Sequence, residues 1–158
     1  MDYTFTYADK TRAECFLPRL FEILDSNMRP MGLCEDYENW FSNVCPALQK
    51  PQRQIVLMYC GEHIVGYFQY YVNGGTFMME EIQIDKAHQG KGLFRQFFSW
   101  LLPQLPQNTE SVEAYAHTIN VNSQCILESL GLSRVEDDSD GDFYRYKGKY
   151  ARLLGKYL

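Results

Sequence analysis

The stretch Ile82-Gln83-Ile84-Asp85-Lys86-Ala87-His88-Gln89-Gly90-Lys91-Gly92-Leu93 sets a glycine-rich loop between a strand pattern and a strongly apolar helix pattern. Glycines let a backbone come close to a ligand. The N–H groups that open a helix, together with its dipole, suit a phosphate. Two nucleotide-binding patterns fail here. A P-loop would need a glycine where Asp85 stands and a Ser or Thr where Gly92 stands. A dinucleotide fingerprint finds Gly90 and Gly92, but Arg95 holds the place of its third glycine. What remains is a loop with room for a phosphate, or a plain glycine turn into a helix. Just upstream stand two carboxylates, Glu80 and Glu81. Strand alternation sends them to opposite faces, so only one of them faces a given cleft.

The surrounding elements must position this stretch. Tyr3–Tyr7 alternates aromatics with Thr and reads as a short strand. Phe16, Leu17, Leu20, Phe21 and Leu24 recur at helical spacing over residues 11–27, until Pro30 and Gly32 break the pattern. A second helix is expected over residues 35–48, stopped near Pro51. Strands follow over Ile55–Tyr59, Ile64–Val72 and Thr76–Asp85, the last two joined by the hairpin signal Asn73-Gly74-Gly75. Leu93, Phe94, Phe97, Phe98, Leu101 and Leu102 form a broad apolar helix face, ended by Pro103 and Pro106. Ser111–Ile119 reads as a strand and Asn122–Leu130 as a helix with Gly131 at its end. A last hairpin, Leu132–Val135 with Phe143–Tyr146, is expected around the acidic turn Glu136–Asp142, before an amphipathic tail, Tyr150–Leu158. The order is β-α-α-β-β-β-α-β-α-β-β. It describes a mixed α/β domain over residues 1–158, with a largely antiparallel sheet flanked by helices. One parallel pair is expected, between Thr76–Asp85 and Ser111–Ile119 across the intervening helix.

In that setting Gln89-Gly90-Lys91-Gly92-Leu93, after Ile82-x-Ile84, resembles the acyl-CoA loop of the GNAT N-acetyltransferase superfamily, whose pattern is Gln/Arg-x-x-Gly-x-Gly/Ala. Gln89 and Gly92 match it, Gly90 matches a common extra glycine, and Phe94 stands where Gly or Ala is usual. The run from Asn120 to Leu132 resembles the family's Asn-x-x-Ala/Ser…Leu-Tyr-Glu-x-Leu-Gly-Phe helix, with Leu127 in place of the Tyr. The element order is similar to the family fold across the whole chain.

The resemblance implies an enzyme that moves an acetyl group from acetyl-CoA to a primary amine by direct attack in a ternary complex, with coenzyme A as product. It implies cofactor contacts at Ile82, Ile84, Gln89, Gly90, Lys91, Gly92, Leu93 and Phe94, and at Asn120 and Ser123. Glu80-Glu81 resembles a Glu-Asp pair of polyamine-type members, which makes one of the two the candidate base. A main-chain N–H near Ile84 would meet charge developing on the thioester oxygen. With Leu127 at the family's acid position, Tyr115 and His117 on the preceding strand are the substitutes, and Tyr144 and Tyr146 are more distant ones. The first two helices and their connection would line the acceptor site. There Met31, Tyr37 and Trp40, with Glu35, Asp36 and Glu38, suit a small cationic amine. Two alternatives stay open: a non-catalytic acyl-CoA-binding sensor or partner module, and a protein or peptide N-acetyltransferase.

Composition narrows the rest. The chain has 158 residues, 46% hydrophobic and 22% charged, which excludes global disorder and a coiled-coil rod. A net charge of −5 with no basic run argues against nucleic-acid binding. No apolar run approaches the roughly 18 residues of a membrane helix. Cys15, Cys34, Cys45, Cys60 and Cys125 include no CxxC, and the chain opens Met1-Asp2-Tyr3 with no basic-then-apolar leader. Reduced thiols in the cytoplasm are therefore expected, with Cys125 a small buried one. His63, His88 and His117 are scattered, so no metal site is expected. Monomer and homodimer are equally compatible with the aromatic strands and the tail.

Overall fold

Three apolar strands in succession form the middle of the molecule: β2 (Gln54–Cys60), β3 (His63–Asn73) and β4 (Thr76–Ile84). The structure, a computed structural model, describes residues 2–135 and 141–158. Ahead of these strands lie β1 (Thr4–Tyr7), α1 (Leu17–Met28) and α2 (Tyr37–Gln49). After them come α3 (Leu93–Leu101), β5 (Ser111–His117), α4 (Val121–Ser129), β6 (Ser133–Arg134), β7 (Phe143–Lys149) and α5 (Tyr150–Tyr157). Among the described residues, hydrogen-bonded neighbours in the seven-stranded sheet run β1-β2-β3-β4-β5-β7-β6. The expected order therefore holds, with the tail added as α5. Residues 136–140, most of the expected acidic turn, lie outside the described residues.

Two local differences have clear causes. The first helix begins at Leu17, and Lys10–Cys15 ahead of it is 3-10. Pro18 sits in the first turn of α1, where its missing N–H costs nothing, and without that N–H it cannot bond back to residue 14 and carry one α-helix through from residue 11. The second helix starts at Tyr37 because Asp36 caps it, its side chain accepting from Asn39 N at 2.8 Å.

By its contacts the chain divides into two compact units, Met1–Tyr70 with Glu81–Phe97, and Tyr71–Glu80 with Phe98–Leu158. In the first, β1 pairs antiparallel with β2, and β2 with β3. One face of that sheet buries Leu17, Leu20 and Leu24 of α1 and Trp40, Val44 and Ala47 of α2 against Ile55, Leu57 and Tyr67. Each large side chain removed from water there contributes about 1.5–3 kcal/mol. Phe97 packs its ring on Phe5 and Phe68, at 5.5 and 4.9 Å between centroids. Gly66 in β3 marks a close approach: a Cβ there would lie 2.8 Å from the Gln83 carbonyl oxygen and 3.0 Å from Met58 Sδ.

In the second unit β4 pairs parallel with β5, from Thr76 opposite Ser111 to Met79 opposite Ala114, which is the expected parallel pair. β5 pairs antiparallel with β7 along its whole length. Buried Glu113 is held there by Arg145 at 2.7 Å and Lys147 at 3.6 Å. Tyr150 donates its hydroxyl to the Leu102 carbonyl at 3.0 Å, and Tyr157 stacks on Phe98. No helix among the described residues is long and apolar enough to cross a membrane. No group of three or more metal-ligating side chains occurs among them either.

Candidate functional site

β4 leads straight into the glycine loop, and side chains fold that junction tightly. Asp85 N donates to the Val65 carbonyl at 2.8 Å, while the Asp85 carboxylate accepts from Ala87 N at 3.0 Å and from Arg19 Nη2 at 2.6 Å. Burial pushes the Asp85 carboxyl up, but the Ala87 N–H and the Arg19 guanidinium outweigh it and leave the group below its ordinary value. Gln89 turns back and donates Nε2 to the Ile84 carbonyl at 2.9 Å, closing the turn. Gly90 and Gly92 then take φ of 72° and 80°. A side-chain-bearing residue would resist that left-handed backbone by about 1–2 kcal/mol.

Gln89, Gly90, Lys91 and Gly92 are all exposed. Gln96 N donates to the Gly92 carbonyl at 3.1 Å, so Gly92 stands at the start of α3. The amides of Leu93, Phe94 and Arg95 precede that first helical bond. Leu93 is buried and anchors the turn, and Phe94 is half-buried on the helix. An exposed glycine turn feeding a helix opening, with Lys91 beside it, fits the diphosphate of a coenzyme through main-chain donors.

The carboxylate is built from side chains. Gln83 is buried, and its Nε2 donates to Glu81 Oε1 at 2.7 Å. Its own Oε1 accepts from Asn27 Nδ2 of α1 at 3.0 Å, and the same nitrogen donates to the Ile84 carbonyl at 2.9 Å. Buried Tyr67 on β3 faces the same region. Burial and the Glu81 charge raise its phenol well above the ordinary range, with the Trp40 indole pulling it back and the Glu35 charge adding to the rise. Gln83 thus links Glu81 to Asn27 of α1, and the Glu81 charge reaches Tyr67. Sequence reasoning misses Asn27, Gln83 and Tyr67 as parts of this site. Strand alternation puts Gln83 on the Glu81 face, but nothing local marks Asn27.

Around the α1–α2 connection, Phe21, Tyr37, Trp40 and Phe41 form a chain of rings with centroids 5.4–6.2 Å apart. Tyr37 and Phe41 are exposed. Half-buried Glu35 has its carboxyl raised by burial and by the neighbouring Asp36 charge. Asp36 itself is occupied as the α2 cap, and Glu38 is exposed.

Met31, half-buried, ends the 3-10 turn Arg29–Met31 that follows α1. Other sequence-selected residues lie in the second unit. Glu80 is half-buried. Tyr115 is 46% exposed and opposite Arg145 in the sheet. Asn120 is buried and caps α4, its Oδ1 accepting from Ser123 N at 3.0 Å. Those two are thus brought together as a helix cap. Leu127 is buried. His117 accepts from Ile119 N at 3.2 Å and packs on Phe143, while Tyr144 lies under Arg134. Tyr146 is buried, which pushes its phenol up. Cys125 is exposed, against the expected buried thiol, because it occupies the outer side of α4.

Neither protein-family models nor curated proteins yield a match to this chain. Solved structures do. An acetyltransferase from Thermus thermophilus superposes with a TM-score of 0.75 at 19% identity, covering 94% of this chain and 97% of that one. A spermidine N-acetyltransferase from Vibrio cholerae in complex with CoA and spermine gives 0.65 at 15% identity, covering 96% and 98%. An acetyltransferase of the GNAT family from Staphylococcus aureus gives 0.68 at 13% identity, covering 94% and 99%. With its mixed seven-stranded sheet and its strand–glycine-loop–helix junction, the chain has the GNAT acetyltransferase fold.

Proposed function

We propose that this protein transfers an acetyl group from acetyl-CoA to a primary amine, with a small cationic amine as the preferred acceptor. The observation that carries this reading is the exposed turn Gln89–Gly92, left-handed at Gly90 and Gly92 and feeding the start of α3, in a chain of GNAT fold. Gln89, Gly90, Lys91, Gly92, Leu93 and Phe94 hold the coenzyme diphosphate, chiefly through main-chain donors. Ile82 and Ile84 present strand backbone to its acyl arm. Bound acetyl-CoA supplies the acetyl group as an activated thioester.

Glu81 accepts the proton that the acceptor ammonium must lose before its nitrogen can attack. Glu80 and Tyr115 are the weaker candidates: alternation turns Glu80 away from the Glu81 face, and the Tyr115 ring is largely open to solvent. A main-chain N–H near Ile84 stabilises negative charge on the acyl oxygen. Leu127 has no proton to give. The ring chain at Tyr37, Trp40 and Phe41, with Glu35 and Glu81, supports a cationic acceptor by cation–π and charge contacts. The Vibrio cholerae neighbour, which carries spermine, is consistent with that class.

Thermal unfolding with acetyl-CoA, CoA and ATP tests the cofactor. A ligand at a hundred times its Kd stabilises by about 2.7 kcal/mol. Stabilisation by acetyl-CoA and CoA but not ATP is expected, and it should vanish in Gly92→Glu. No shift, or an equal shift with ATP, overturns the reading. Thiol release over a panel of amines and peptides then tests the acceptor, and turnover of peptides alone would move the assignment to a peptide acetyltransferase.

A further inference from the structure

We infer that Asn27 and Gln83 are positioning residues that hold Glu81 oriented and ionised and tie it to the cofactor loop. The inference rests on the reading of Glu81 as proton acceptor.

The direction of this chain of bonds is determined by its chemistry. Asn27 Nδ2 meets two acceptors, Gln83 Oε1 at 3.0 Å and the Ile84 carbonyl at 2.9 Å. Turning that amide over would set its oxygen against two oxygens. Gln83 accepts from Asn27 and therefore presents its own nitrogen to Glu81, at 2.7 Å. From Asn27 to Gln83 and from Gln83 to Glu81, each bond is donated toward the carboxylate. A donor aimed at a carboxylate favours its charged form, and short bonds to a charge are the strong ones. Gln83 is only 5% exposed, so water competes poorly for either end of its amide.

Two further observations set this apart from ordinary packing. Asn27 Oδ1 is buried and meets no donor among the described residues. An apolar side chain at position 27 would remove that cost only by taking the Asn27 donor from buried Gln83 Oε1, so the asparagine is tied to what its Nδ2 holds in place. The Ile84 carbonyl that Asn27 grips is also the acceptor for Gln89 of the loop. One carbonyl is thus shared by the residue that seats the loop and the residue that begins the chain to Glu81. Asn27 bridges 56 residues of sequence to do this. Among the described residues, Tyr67 from β3 feels the Glu81 charge and, more weakly, that of Glu35 ahead of α2; burial and both charges raise its phenol and keep it protonated.

The test is steady-state acetylation of a small diamine over a range of pH, with Gln83→Met, Asn27→Leu, Glu81→Gln and the Glu81→Gln/Gln83→Met double variant. Gln83→Met should lower kcat roughly tenfold and move the acid limb of kcat/KM up by about one pH unit, leaving KM for acetyl-CoA unchanged. Asn27→Leu should do the same and also raise KM for acetyl-CoA. In the Glu81→Gln background, Gln83→Met should cost nothing further. Additive losses in the double variant, or an unmoved acid limb in both single variants, would overturn the inference. Should Gln83→Met fail to fold, Asn27→Leu, on a partly exposed helix position, carries the same pH test. If Glu81→Gln leaves turnover intact, the proton-acceptor reading falls on its own. The positioning of Glu81 is then read from its carboxyl titration by NMR, where a rise in Asn27→Leu upholds it and no rise overturns it.

Discussion

The glycine turn at Gln89–Gly92 and the Asn27–Gln83–Glu81 chain sit at the two ends of one short stretch of β4 and its exit, and they are made in opposite ways. The turn is exposed and works with its main chain. Its demands are a left-handed backbone at Gly90 and Gly92 and an open helix start, and side-chain identity matters little between them. The chain to Glu81 is mostly buried and works with side chains, each of which must be the right length and the right polarity. A main-chain site binds a common chemical handle and tolerates change around it. A side-chain chain does one task and fails at any link.

That contrast can be broken by substitution. The largest effect is expected at the carboxylate. Glu81→Gln should lower kcat by about 10²–10⁴ with acetyl-CoA affinity unchanged, whereas Glu80→Gln should cost less than about tenfold. Equal losses in steady-state kinetics would erase the distinction between the two residues. Next comes the turn. Gly92→Glu adds both a left-handed strain and a negative charge, and should weaken acetyl-CoA binding by about 10–100-fold in calorimetry. An unchanged Kd would mean that the turn is not the diphosphate site.

Gln89→Ala should be milder, because it removes one neutral bond to the Ile84 carbonyl. A rise of about 2–10-fold in KM for acetyl-CoA is expected. The smallest effect concerns stability. The Asp85 carboxyl titrates below its ordinary value in the folded chain, so its stabilising share is full above the unfolded value and drains as pH falls through the folded one. Asp85→Asn should flatten the acid side of a stability-versus-pH curve. Its cost at neutral pH should not exceed about 1 kcal/mol, since the pair with Arg19 is partly exposed.

The same contrast explains what is legible in the sequence. A main-chain turn needs glycines at set places, so Gly90 and Gly92 announce it locally. Strand and helix order follows from periodicity, and the parallel β4–β5 pair follows from a helix lying between two strands. The start of α1 is not legible, because its apolar spacing extends upstream of Pro18 and the proline decides where helical backbone begins. Glu80 and Glu81 are both visible as carboxylates. Their separation depends on which face of β4 meets α1, and alternation alone does not say. Asn27 carries no signal, because its meaning lies in a partner 56 residues away. Asn120 is legible as a polar residue at a helix start, and its side chain makes the ordinary cap bond to Ser123.

Gly66 has an evolutionary consequence. Its missing side chain leaves room for the Gln83 carbonyl, 2.8 Å from where a Cβ would stand. That neighbour is backbone and cannot swing aside, and its residue is the middle link to Glu81. Any heritable change at position 66 therefore presses on the strand that carries the proposed chemistry, even though Gly66 itself contributes no functional group. Under selection for activity, a randomised codon at this position should return glycine almost alone, while the exposed turn at Glu62, between β2 and β3, accepts many residues.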